Sequence, residues 1–230
     1  MANTNIKQII KQEYIKCAKD PVYFMKKYCF IQHPTRGRIA FNLYPFQEKV
    51  LNLLNKNDRN IILKSRQLGI STLSAGISLW MMVFQKDKAI LVVATKQDTA
   101  KNLVTKVKFM YDNLPSWLQI GFVEKNKLAL RLKNGSQIKA VSAASDAGRS
   151  EAISFLIVDE AAFIEENRIE EIWASSQQTL STGGGAMVLS TPNGTGNFFH
   201  RMWVKAEEGE NGFTTIRLPW TVHPERNQEW

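Results

Sequence analysis

Three short apolar runs, each ending in a polar tip, constrain this chain more than any other feature of its sequence. They come in a fixed order. Asn60 to Leu63 leads into Lys64-Ser65-Arg66-Gln67-Leu68-Gly69-Ile70-Ser71-Thr72. Phe155 to Val158 leads into Asp159-Glu160, and Ala186 to Leu189 into Ser190-Thr191-Pro192-Asn193-Gly194. Runs this short and this apolar suit strands covered on both faces, as in a parallel sheet. Polar tips at the ends of such strands are where open α/β sheets bind ligands. The set predicts a nucleotide-hydrolysing site built at the ends of parallel strands.

The first tip reads as a phosphate-cradling loop. Gly69 opens a helical stretch from Ile70 to Val83. A helix N-terminus offers free N–H groups and partial positive charge, both suited to phosphate. The usual loop pattern is G-x-x-x-x-G-K-[ST], in which the hydroxyl holds Mg²⁺. Ser71 has that place, but Lys64 stands at the first glycine position and Ile70 at the lysine position. An isoleucine neutralises no phosphate charge. Because the loop arches over the phosphates, Lys64 can supply the ammonium from its other end, with Arg66 as a second cation. The alternative is a strand–turn–helix junction with incidental basic residues.

The second tip supplies acids. Asp159 can hold Mg²⁺, directly or through water, and Glu160 can orient or deprotonate an attacking water. Ala161-Ala162-Phe163-Ile164 follows, so the acids lie between apolar stretches and not in a solvated charge run. At the third tip, Ser190, Thr191 and Asn193 offer small polar groups able to sense a γ-phosphate. Pro192-Asn193-Gly194 is also ordinary turn chemistry.

These motifs resemble the large terminase subunit of tailed bacteriophages, in its N-terminal ATPase motor domain. Ser65-Arg66-Gln67-Leu68-Gly69 is similar to the family's phosphate loop, Ile157 to Phe163 to its acidic strand, and Ser190 to Gly194 to its coupling motif. Upstream, Asp20 to Phe24 and Ile39 to Gln47 share the likeness, which spans roughly residues 20 to 200. The resemblance implies a P-loop NTPase of the ASCE type: an α/β fold with a mostly parallel sheet flanked by helices and an N-terminal helical extension. It implies ATP and Mg²⁺ as cofactors. Gln47 would read adenine, with Tyr44 or Phe46 near the base. Arg149, in Gly148-Arg149-Ser150, would reach a neighbouring subunit's γ-phosphate; Arg66, acting within its own subunit, is the rival. Implied partners are double-stranded DNA, the portal of the prohead, the small terminase subunit, and further copies in a ring. The place of action would be the host cytoplasm. The implied function is ATP-driven translocation of double-stranded DNA into a prohead. The alternatives are a helicase-like DNA-dependent ATPase, and a degenerate nucleotide- or DNA-binding module without turnover.

Composition agrees with one substantial domain. The chain has 230 residues, 44% hydrophobic and 22% charged, with a net charge of +9 that is compatible with a polyanion partner. Cys17 and Cys29 lack metal-ligand spacing, and His33, His200 and His223 are scattered. No apolar run reaches membrane-spanning length. Residues 1–218 are expected to form the motor domain: 1–57 the helical and adenine-side region, 58–218 the core. Residues 219–230 are expected to begin a linker, and no nuclease activity is expected of this fragment. Residues 5–30 read as helical with a break at Pro21, and His33 to Asn42 as an extended loop. Phe46 to Leu54 and Asp98 to Asp112 read as helices. Ala89 to Ala94 reads as a strand. Leu128 to Leu132 and Gln137 to Val141 read as a hairpin at an exposed sheet edge. Glu166 to Leu180 and Phe198 to Ala206 read as further helices, and Phe213 to Leu218 as a last strand.

Overall fold

The computed structural model describes residues 2–143, 153–181 and 183–226. Two helices open the chain, α1 (Ala2–Lys19) and α2 (Pro21–Tyr28). The break between them has a local cause. Asp20 caps α2 by accepting the Tyr23 N–H at 2.9 Å, and Pro21 takes the first helical position, where no N–H is needed. The segment read as an extended loop is instead part of a hairpin, β1 (Phe30–His33) with β2 (Gly37–Ala40). The turn after His33 is closed by the imidazole Nδ1, which accepts the N–H groups of Thr35 and Arg36. Strands of four residues flanked by a Pro-Thr-Arg-Gly turn carry too little alternation to be recognised.

The central sheet has eight strands. In chain order they are β3 (Arg59–Lys64), β4 (Ala89–Ala94), β5 (Phe122–Lys125), β6 (Ala129–Leu132), β7 (Gln137–Ser142), β8 (Phe155–Asp159), β9 (Gly185–Ser190) and β10 (Thr214–Leu218). Their spatial order is β10-β3-β9-β8-β4-β7-β6-β5. Every pairing from β10 to β7 is parallel; β7-β6-β5 is an antiparallel meander. The fold is therefore the mostly parallel α/β sheet that the three apolar runs require. The predicted hairpin is β6–β7, around the Asn134-Gly135 turn where Gly135 has φ +86°. It does not form the edge itself, because β5 pairs outside it.

Period-two alternation along the parallel strands feeds two cores, one on each face. Ile62, Val92, Ala94, Ile157, Met187 and Leu189 face one core, together with side chains from α2, α3 (Pro45–Lys56), α4 (Ile70–Phe84) and α5 (Gln97–Asp112). Ile61, Leu91, Val93, Leu156, Val158, Ala186 and Val188 face the other, with α6 (Glu166–Ser181) and α7 (Phe198–Glu207). Each fully buried Ile, Val or Leu contributes about 1.5–3 kcal/mol relative to exposure. A one-residue slip in β8 would exchange the two faces and move Asp159 away from its partners. The register of the apolar core thus fixes the position of the acids.

The last described segment departs from the linker expectation. Residues 219–226 fold back on the body. His223 lies 4.6 Å from the Tyr44 ring, the Tyr44 hydroxyl donates to Glu225 at 3.0 Å, and Arg226 reaches the phosphate loop.

Candidate nucleotide site

The three polar tips meet because their strands are neighbours. β9 lies between β3 and β8, and register places Leu63 opposite Ser190 and Asp159 opposite Leu189. Together, residues 64–72, Glu160 and Lys106 of α5 line a cavity of about 420 Å³.

The loop is held from outside the cavity. The Ser65 N–H donates to the Leu218 carbonyl at 2.9 Å, which ties the loop's start to β10. Gln47 Nε2 donates to the Leu68 carbonyl at 3.0 Å, while its Oε1 accepts the Tyr44 N–H at 3.1 Å. Arg226 donates to the carbonyls of Arg66 and Gln67. Gln67 and Gly69 both have positive φ, 58° and 71°. The left-handed backbone at residue 69 favours glycine, and a Cβ there would stand 2.7 Å from Gln47 Nε2 and displace that amide from the loop. Gln47, expected at adenine, is 4% exposed and spends both amide atoms on the chain itself. Tyr44 and Phe46 stack nearly parallel, 5.8 Å apart, beside it. Ile70 is buried at 2% exposure in the core behind the loop, so its side chain offers nothing to a phosphate.

Lys64 and Glu160 form the site's central ion pair. Lys64 is 7% exposed, and its ammonium donates to Glu160 Oε1 at 2.6 Å. Glu160 sits in the left-handed region at φ 53°, uncommon for a residue with a side chain. Its Oε2 accepts the N–H and the hydroxyl of Thr191, each at 3.1 Å, and stands 3.5 Å from Ser190 Oγ. Ser190 Oγ also accepts the Ala162 N–H, and Asn193 Nδ2 donates to the Ala162 carbonyl. The third motif therefore clasps the turn that carries the second. Burial raises the Glu160 carboxyl, but the Lys64 ammonium and the Thr191 donors outweigh it and hold Glu160 below the usual carboxylate range.

Asp159 is the opposite case. Burial pushes its carboxyl up, against the pull of the Lys64 charge. Its Oδ2 accepts the Ser71 hydroxyl at 3.1 Å, and its Oδ1 is buried with no hydrogen-bond partner among the described residues. An orphaned, buried carboxylate oxygen beside a serine hydroxyl is the donor set a magnesium ion takes when phosphate and water complete its shell. No group of three or more His, Cys, Asp or Glu that could hold a metal occurs among the described residues.

Two site residues were missed from sequence. Lys106 Nζ lies 3.0 Å from the Thr72 hydroxyl, and burial lowers its ammonium from the usual range, with the Asp159 charge acting the other way. Its signal was available: Lys106 borders the buried face made by Leu103, Val107 and Met110. Arg226 carried no signal, because its role is set by a tertiary fold-back. Arg66 is exposed at the cavity mouth, and Arg149 lies outside the described residues.

A mostly parallel sheet with a strand–loop–helix junction on one strand, paired acids after another and an inserted strand between them defines an α/β fold of the P-loop type. The family follows from the sequence as a whole. A family model described as "Terminase large subunit, T4likevirus-type, N-terminal" matches residues 61–227, and the chain belongs to that family. Solved structures show the same fold. The large terminase of bacteriophage HK97 superposes with a TM-score of 0.70 at 16% identity, over 91% of this chain and 45% of that one. The large terminase ATPase domain of Thermus phage P74-26 gives 0.68 at 22% identity, over 83% and 86%. The large terminase of a thermophilic bacteriophage, in complex with ATP-gamma-S, gives 0.62 at 13% identity, over 82% and 47%. The chain thus spans about half the length of the HK97 protein and of the ATP-gamma-S-bound one, and most of the P74-26 ATPase domain.

Proposed function

We propose that this chain is the ATP-hydrolysing motor domain of a DNA-packaging terminase, translocating double-stranded DNA into a prohead. The observation that carries the reading is the single cavity in which the loop, Lys64 and Glu160 converge at the ends of two strands that flank β9. The loop and the first turn of α4 bind the phosphates. Lys64 neutralises charge on them, and Glu160 orients the attacking water or takes its proton. Ser71 and Asp159 would hold Mg²⁺, which supplies charge neutralisation to the phosphates when bound. Gln47, Tyr44 and Phe46 form the adenine side, Gln47 acting through the loop it braces as well as through any contact with the base. Ser190, Thr191 and Asn193 couple the state of Glu160 to β9 and the turn that follows. Arg66 is the cation at the cavity mouth, and Arg149 the candidate for reaching a neighbouring subunit. Portal, small subunit and a ring of copies in the host cytoplasm complete the reading. Among the described residues no helix is long and apolar enough to cross a membrane.

The test is phosphate release by this chain with ATP and Mg²⁺, with and without double-stranded DNA and portal. Turnover that rises with DNA and portal is expected; absence of both nucleotide binding and turnover would overturn the reading. Asp159→Ala is expected to weaken ATP binding about tenfold or more in Mg²⁺ and hardly at all in EDTA, read by nucleotide titration in both buffers. Equal losses in the two buffers would remove Asp159 from the metal site.

DNA contact is expected to be through phosphates, because a packaging motor must grip any sequence. The net charge of +9 suits that. Affinity should fall steeply with salt, and differ little between unrelated duplexes. A salt-insensitive, sequence-selective complex would contradict it.

A further inference from the structure

We infer that Lys106 of α5 is a second phosphate-contacting residue of the ATP site, providing the positive charge that Ile70 leaves out at the head of α4. The inference rests on the ATP reading above. Four observations converge on it.

The conventional lysine position is filled by an isoleucine packed into the core at 2% exposure. The cation at the loop's other end, Lys64, is already engaged by Glu160 at 2.6 Å and by the nearby Asp159 charge. A polyphosphate carrying several negative charges therefore meets a site whose best-buried cation is shared with two acids. Lys106 stands across the loop from that pair. It lines the same cavity, and its ammonium is fixed by the Thr72 hydroxyl, one residue beyond Ser71. Among the described residues, the Thr72 hydroxyl is the one hydrogen-bond partner recorded for this ammonium. An ammonium carries three donors, and the nearby Asp159 charge compensates it without a hydrogen bond, so donors are left over for a bound anion. Finally, it is half-buried at the border of the apolar face of α5. Leu103 and Met110, its neighbours on that face, are both buried, whereas Lys101 and Lys108 lie together beyond the opposite border of the face. A charge at that border has to be explained by what it points toward, and here that is the loop.

Lys106 also borders a neighbouring cavity of about 430 Å³ between α5 and the β1–β2 hairpin, lined by His33 and Phe109 among others. Thr72 lines both cavities, so its hydrogen bond holds the ammonium at the wall between them, within reach of the loop. Lys64 and Lys106 thus bracket the head of α4. The phosphate chain lies between them, and the helix N-terminus supplies its amides from below.

The experiment compares wild type with Lys106→Met, Lys106→Arg and, as a control on the same helix, Lys101→Met. Affinities for ATP, ADP, AMP and adenosine are measured by titration alongside steady-state hydrolysis and thermal melting. Met keeps the stem that packs on α5 and removes the charge. Lys106→Met should weaken ATP at least tenfold and adenosine hardly at all, raise KM more than it lowers kcat, and leave the melt close to wild type. Lys106→Arg should recover most of the ATP affinity; Lys101→Met should match wild type. Wild-type ATP affinity in Lys106→Met, or equal losses for ATP and adenosine, would overturn the inference while leaving the ATP site standing. Should Lys106→Met not fold, Lys106→Gln against Lys106→Arg decides by the same ATP-to-adenosine ratio. A wild-type chain that binds no ATP would sink the ATP reading itself, and the inference with it.

Discussion

Lys64→Ala is expected to lower ATP turnover by a factor on the order of 10²–10³, the range seen when one preorganised transition-state contact is removed. ATP binding should weaken as well, because Lys64 neutralises charge in the ground state too. The geometry behind this is the 2.6 Å contact to Glu160 in a place where Lys64 is 7% exposed. There a positive charge acts through a medium far less screening than water. Alanine removes the cation from the phosphates and at the same time takes from Glu160 the partner that keeps its carboxylate in place. Deleting one side of a buried pair costs about 3–5 kcal/mol of stability. The cost here should fall below that range, because the Glu160 side chain is 29% exposed and keeps two Thr191 donors. Melting curves separate the two effects: a folded Lys64→Ala without turnover assigns the loss to chemistry. Ile70→Ala is the companion variant. Its side chain packs in the core, so it should reduce stability and change turnover only a few-fold. Near-normal hydrolysis in Lys64→Ala would pass the role to Arg66 and end the claim that the loop's lysine sits at its first position.

The parts of this site legible from sequence are those encoded by local pattern. Val158 can only precede a buried acid at a strand end because β8 is apolar on both faces, and that double burial is what the run Phe155 to Val158 announces. The same holds for β3 and β9. What pattern could not convey is the pairing between tips. That Thr191 would hold Glu160, and not wait for a phosphate, depends on β9 lying beside β8, a fact of topology. Gln47 was expected at adenine from resemblance. Its grip on the Leu68 carbonyl depends on how α3 docks behind the loop, and no spacing rule encodes that. The β1–β2 hairpin escaped because its strands are four residues long and largely uncovered. Strand β5 escaped for a related reason: three of its four residues are exposed, so alternation between core and solvent is missing. The fold-back of residues 219–226 was read as a linker because a short polar stretch with Pro, His and Arg has no period at all; its order comes from Tyr44 and from loop carbonyls supplied by distant parts of the chain.

Glu160→Gln is expected to remove turnover almost entirely, by a factor on the order of 10²–10⁴, the usual contribution of a positioned acid or base. Nucleotide affinity should stay close to wild type. The substitution is nearly isosteric, and the amide oxygen can keep the hydrogen bonds from the Thr191 N–H and hydroxyl that now reach Oε2. The amide NH₂ would then face Lys64, where Oε1 stands now. Two donors cannot satisfy each other, so the ammonium is released from its acid and left to the phosphates. A variant that traps ATP without hydrolysing it is therefore the expected outcome, with affinity unchanged or modestly increased. The double variant Lys64→Ala/Glu160→Gln supplies a check that neither single change gives. If the two residues act as a unit, its turnover should be close to that of the worse single variant and far above the product of the two losses. Multiplicative losses would separate Lys64 from Glu160. Wild-type turnover in Glu160→Gln would do more, because the water would then be activated by a group outside the pair, and the left-handed backbone at residue 160 would serve only to bring β8 into its turn.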